Sequence, residues 1–480
     1  MQTTLLGLAI TVIVALVAAL IGPYLIDWNR FRPRFEAQAA HVIGAPVRIE
    51  GGLDVRLLPS PSLQLRSVVV GGSNDPGKVR AGNLGVEFSL GSLMRGEWRA
   101  TEVTINDVAL DLGLDSDGRI DWPLSRSFNP LSIDRLNLTG RVALHDAASR
   151  TTLELSDIAF SGDVRSGAAV RGDGNFVLSG ERYPFRISSG PASDGDASRV
   201  HVTIDPGMRA ASIDLDGILS FDERVPHFEG TVALAGAAES AAKNFSGDPS
   251  QRPWRVSART KAAPSGARLE QVEASYGAGE AALELVGVGD ARFGASPRIH
   301  AELFARQLDA DRLSAKDAPA TMLATLQGIL AKIPPAPLAA DIGISADQIM
   351  LGSRPIQNFR IDLRGDAASW AVGRVEFRAP GATQVVLDDQ GARAGQSTQF
   401  NGMLDIQSSD PDTFVGWLQG RDKIARESQK PLRLRGNLNV DSGQVALDQF
   451  KADIEGGSVE GGLAFINSTA GKGARLDAEL

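Results

Sequence analysis

Phosphate chemistry needs a glycine-rich loop, and the nearest approach is at residues 72–79, where Gly72, Gly77 and Lys78 carry the right spacing. Val79 stands where a magnesium-binding Ser or Thr belongs and no long helix follows, so the segment reads as a surface turn. Asp115, Asp117 and Gly118 open like a calcium loop, but the third acidic position is missing and Arg126 occupies the place of the closing Glu. Gly172 and Gly174, like Gly287 and Gly289, lack the third glycine of a dinucleotide fingerprint and fall in strand-like runs. The five histidines, His41, His145, His201, His227 and His300, stand one by one, with no pair at helical metal spacing. No G-x-S-x-G elbow and no cysteine occur, which removes serine-elbow and thiol chemistry, disulfides and thiolate metal sites. The scattered carboxylates read as solvated outer faces of strands. The expectation is a chain that is not an enzyme and carries no catalytic, cofactor or metal residues. A net charge of −9 without a basic tract also speaks against nucleic acid as a partner.

With no site to position, the weight falls on the elements themselves. Residues 1–26 contain no Asp, Glu, Lys, Arg or His. As helix, at ~1.5 Å per residue, they would reach about 39 Å, more than the roughly 30 Å of apolar bilayer core. The stretch lacks a basic start and exceeds the apolar run of a secretory signal, so it reads as an uncleaved transmembrane anchor. Arg30, Arg32 and Arg34 follow it, and taken alone the positive-inside rule would keep them cytoplasmic.

From Asn29 to Ile43, Phe31, Phe35, Ala39 and Val42/Ile43 recur at helical spacing, and Gly44 stands at the stop position. This amphipathic helix could lie on the membrane or cap the end of a sheet, since both need one apolar face. Then the period changes to two. Leu53, Val55 and Leu57, then Leu63 and Leu65, then Leu84, Val86, Phe88 and Leu90 alternate with polar residues, as half-buried strands do. The run Val108 to Leu114 ends in a turn at Asp115-Ser116-Asp117-Gly118. Similar strands recur about every ten residues with no helices between them, which predicts antiparallel neighbours. Residues 188–198 and 236–253 read as polar loops. Helices are expected at Pro319 to Lys332 and at Asp410 to Leu418, the second capped by Asp410 with Pro411 at its first position. A faint repeat spaces apolar residues by three and then two: Leu269, Val272, Ala274; Val372, Val375, Phe377; Leu447, Phe450, Ala452.

The order of these passages resembles the AsmA family. The resemblance is carried by the anchor, Asp27-Trp28-Asn29, GAPVRIEGGLDVRLLPSPSLQLRSVVVGG from Gly44, LGVEFSLGSLMRGEWRATEVTINDVALDL from Leu84, and DGRIDW from Asp117. Passages from Leu131, Ile344 and Val445 are similar to it as well. The resemblance implies an inner-membrane protein of a Gram-negative bacterium, with a periplasmic body and an N-terminal module similar to chorein-type lipid-transfer proteins. It further implies an elongated β-groove and a part in outer-membrane biogenesis and phospholipid traffic.

The expected fold is therefore all-β, mainly antiparallel, an elongated curved sheet or groove with a transmembrane helix and few short helices. Its expected divisions are the anchor at 1–26, a chorein-like module at 27–130, a groove segment at 131–307, a helical connector at 308–337 and a second β segment at 338–480, continuing beyond. A conduit would line its groove with Val86, Phe88, Leu136, Leu138, Phe359, Ile361 and Leu363 and hold phospholipid acyl chains. The alternative is a scaffold or regulator of outer-membrane protein targeting and assembly, with closed β-sandwiches that bind envelope proteins. A membrane-bound hydrolase would need a convergent polar site that the sequence does not offer.

Overall fold

The computed structural model describes residues 27–479 apart from 59, 72–78, 96–98, 122–131, 166–168, 193–196, 206–210, 237–252, 278–281, 310, 312–338, 352–353, 367–369, 390–399, 419–429, 441–443, 455–456 and 467–474. The expected anchor, the phosphate-loop look-alike and the helix at Pro319 to Lys332 lie outside the described residues. Among the described residues no helix is long and apolar enough to cross a membrane. The chain is all-β and divides into two compact units, residues 1–234 with 260–265, and residues 235–259 with 266–480.

In the first unit a 3-10 turn at Trp28–Phe31 leads into α1 (Arg32–Ile43). Twelve strands follow: β1 (Val47–Ile49), β2 (Leu53–Arg56), β3 (Ser62–Val70), β4 (Val79–Phe88), β5 (Arg99–Leu114), β6 (Ser132–Asp146), β7 (Thr151–Arg165), β8 (Ala169–Leu178), β9 (Glu181–Pro191), β10 (Ser198–Ile204), β11 (Ala211–Asp222) and β12 (Val225–Gly236), the last ending at the unit boundary. A short helix, α2 (Leu90–Met94), interrupts them after β4. β1 and β2 both pair with β3, and from β3 to β11 each strand pairs with the next. β13 (Trp254–Ala263) crosses the unit boundary.

The second unit runs β14 (Gly266–Tyr276), β15 (Leu283–Arg292), β16 (Arg298–Asp309), β17 (Ala339–Leu351), β18 (Arg354–Gly365), β19 (Trp370–Ala379), β20 (Thr383–Asp389), β21 (Phe400–Ser408), α3 (Pro411–Leu418), β22 (Leu432–Val440), β23 (Gln444–Ile454), β24 (Gly457–Ile466) and β25 (Arg475–Glu479). Here too each strand from β14 to β25 pairs with the next.

The ladders are mainly antiparallel, as expected, with two parallel pairs, β5–β6 and β16–β17; a parallel pair needs a crossover of a dozen residues or more, and the long segments 115–131 and 310–338 supply that length. Two expectations are corrected. Leu90 leaves the alternating run and opens α2, where Ser89 Oγ accepts from Ser92 N. Residues 188–191 are not loop but the end of β9, laddered to β10 from Ser188 onward.

Of the two roles open to the first helix, α1 caps the sheet. Phe35, Ala39 and Ile43 pack on the buried Val47, Ile49, Leu65 and Val68. Glu36 accepts from Ile49 N at 2.8 Å, Arg32 donates to Gly51 O at 2.8 Å, and Gly44 closes the helix at φ 76° with its N–H on Ala40 O. Phe31 is not on that apolar face; it is exposed. In the second unit α3 plays the same part. It begins as its sequence predicts, with Asp410 accepting from Thr413 N at 3.1 Å and Pro411 first in the helix. It lays Phe414 and Trp417 on Ile349, Leu351, Ile356 and Val385, and Trp417 Nε1 donates to Leu351 O at 3.0 Å.

Candidate functional site: the apolar sheet faces

Residues opposite one another in a ladder share a face, so registers can be followed across a sheet. In the first unit one row runs Leu65, Leu84, Ile105, Leu138, Phe160, Gly174, Phe185, Ile204, Ile213. A second runs Leu63, Val86, Val103, Leu136, Gly162, Gly172, Ile187, Val202, Leu215. Each crosses nine strands without a polar side chain. The second unit repeats the device through Val272, Gly287, Leu303, Ile344, Ile361, Val375, Leu387 and Leu404.

Most residues of these rows are only half-buried, and in β15 they alternate with exposed neighbours from end to end. The asymmetry belongs to a curved sheet whose apolar side is concave, because crowding on the inner side hides side chains that no second layer covers among the described residues. The opposite faces carry cross-strand ion pairs, Arg99–Asp134 at 2.7 Å, Arg141–Asp111 at 3.1 Å, Arg374–Asp388 at 3.0 Å and Arg435–Asp405 at 2.7 Å. Exposed as they are, such pairs add little stability, but they fix which face stays wet.

The curvature has a local cause. Asp107, Asp157, Gln271, Asn358 and Gln449 all have φ near +50° and sit where ladder register slips by one residue. Each is a β-bulge, which bends its strand and raises the local twist. An extra residue between two inward side chains turns the spacing of two into three, as in Ile105/Val108, Leu155/Ile158 and Ile356/Phe359. The faint repeat at Leu269/Val272 and Leu447/Phe450 is the same feature, and Val372/Val375 spans a further slip against β18.

On the floor of the first unit, aromatic rings lie flat over glycine. A Cβ built on Gly172 or Gly162 would stand 2.6 or 2.8 Å from the Phe160 ring, and one on Gly174 would stand 3.0 Å from Phe185. Phe160 and Phe185 are nearly coplanar in orientation at 6.2 Å between centroids, and Phe176 stacks on Tyr183 at 5.5 Å. Gly172 and Gly174, read above as an incomplete fingerprint, are the space into which these rings lie down.

Of the seven expected lining residues, Val86, Leu136, Leu138 and Ile361 stand in the rows just traced. Phe88 shares its strand face with Val86. Phe359 faces Ala346 and is half-buried; Leu363, opposite Ile342, is buried at 8% exposure. The set is divided between the two units. The sequence reading missed Phe160, Phe185 and the glycines between them, whose signal was Phe two residues or one strand away from Gly.

The polar look-alikes resolve into turn chemistry. Asp115 accepts from the backbone N–H of Asp117 and Arg119, and Gly118 takes φ 80°. His201 meets Asp214 at 3.9 Å and Thr203 at 3.4 Å on the outer, half-exposed face of β10 and β11. Asp146 closes the β6–β7 turn; the hydroxyl of Ser149 and the N–H groups of Ala148 and Ser149 hold its carboxyl below the usual carboxylate range.

Each unit sets an apolar sheet face against a wet one, the arrangement that defines the class of β-groove proteins. Residues 2–176, a little over a third of the chain, match the model of the AsmA family. No curated protein and no solved structure matches the chain.

Proposed function

We propose that this chain is a membrane-anchored protein of the bacterial envelope that carries phospholipid acyl chains along its apolar sheet faces. The reading sets the chain on the inner membrane by residues 1–26, its body in the periplasm, in outer-membrane biogenesis, with no catalytic role. The observation that carries it is the pair of nine-strand apolar rows, half-buried and concave. Burying that surface in water-free contact would be favourable by about 25 cal/mol per Å², and an acyl chain is the ligand whose surface is apolar along its length.

The test uses the full chain in gentle detergent. A charge on an open wall contacts ligand, whereas in packed core it would cost several kcal/mol and the fold. Phe88→Glu and Ile361→Glu should remain folded yet lose at least tenfold in co-purified phospholipid. Glu87→Lys and Arg360→Gln, on the outer face, should keep it. Wild-type protein free of lipid, with inward variants that unfold, would replace the carrier by the scaffold of outer-membrane assembly. The exposed Val286, Val288 and Phe304 on the outer face of β15 and β16 favour that second reading.

A further inference from the structure

The end of β5 meets strands that the register places far away. Six ladders separate β5 from β11, about 29 Å in a flat sheet at ~4.8 Å each. Leu114 lies nine residues beyond Ile105 in one direction and Arg224 eleven beyond Ile213 in the other, a further ~66 Å along the strands at ~3.3 Å per residue. Yet Ile120 N donates to Arg224 O at 3.0 Å, Arg119 reaches Glu223 at 3.7 Å, and a Cβ on Gly118 would stand 3.1 Å from Pro264. The sheet of this unit therefore rolls until the tip of β5 touches the β11–β12 and β13–β14 turns.

The tip is internally stiff. Leu114 bridges to Ile120, Asp115 N donates to Arg119 O at 3.0 Å, and Asp121 accepts from Gly113 N. Its hold on the far turns among the described residues is slight by comparison: the Ile120–Arg224 backbone hydrogen bond, the exposed Arg119–Glu223 ion pair and the close approach of Gly118 to Pro264. A rigid tab with a weak catch can leave and return without disturbing either strand.

Resting on the carrier reading, we propose that residues 115–121 are a lateral gate of the first unit. Docked, the tip closes the slit between β5 and the β11–β12 turn; an acyl chain enters sideways only when it lifts. The natural chain has no cysteine, so a pair can be placed without background. Arg119→Cys with Glu223→Cys is bridged by a short disulfide-containing bis-maleimide in the reconstituted full chain. A photo-cross-linking amino acid replaces Phe160, or Ile361 in a parallel set, and capture of a labelled phosphatidylethanolamine from donor vesicles is measured. Bridging should cut capture at position 160 at least tenfold, leave position 361 unchanged and be reversed by thiol cleavage of the bridge; the single-cysteine variants should load normally. Arg119→Glu, facing Glu223, should load faster than wild type. Unchanged capture at 160 after bridging overturns the gate and leaves the carrier standing. Absence of capture at both positions without any bridge overturns the carrier, and the gate with it.

Discussion

The strand residues of the second unit under α3 and the rows of the first unit beyond α1 are built from the same apolar residue types, but they do different work. Where α3 covers the sheet, Ile356 is 2% exposed, Val385 4% and Trp417 4%; beyond α1, Leu138, Phe160 and Ile204 stay half-open. One apolar row becomes core under a helix and wall without one. What distinguishes the two is the cover, not the strand.

The largest test of this contrast removes the cover. Trp417→Ala should cost about 3–5 kcal/mol, because it leaves a cavity and strands the Leu351 carbonyl. Ile204→Ala on the open wall should cost under about half as much, since its side chain was never fully withdrawn from water. Urea denaturation of both variants decides, and equal losses would mean that the wall is core after all.

A smaller effect probes the floor. Gly172→Ala sets a methyl against the Ser161 carbonyl and the Phe160 ring, and should cost about 1–3 kcal/mol while tilting the ring into the groove. Gly85→Ala, whose nearest neighbour would be Thr104 O at 3.8 Å, should stay within about 0.5 kcal/mol. The comparison sharpens if lipid capture falls only in the first variant.

The smallest effect is at the rim. Because the folded carboxyl of Asp146 lies below its unfolded value of roughly 3.9, its contribution is present above that value and is lost as pH falls through the lower folded one. Asp146→Asn should therefore be less stable than wild type at neutral pH, with the gap closing below about pH 3.9. A gap independent of pH, followed by circular dichroism, would assign the turn to the backbone rather than to the carboxylate.

Much of this molecule is local. Period-two alternation follows from side chains pointing to opposite faces, so the sequence alone determined the all-β class and set Val86, Leu138 and Ile361 each on the apolar face of its strand. Gly44 as helix stop and Asp410-Pro411 as helix start were equally legible, because capping acts within one turn. The bulges were half-visible as a spacing of three, though their αL conformation at Asp157 or Gln271 was not. Only tertiary structure decided that α1 and α3 lie on the sheets, that β5–β6 and β16–β17 run parallel, and that Phe160 lies over Gly172. It also brought Ile120 to Arg224. Those pairings join residues tens to more than a hundred positions apart, and no local preference records which distant strand will curve round to meet another.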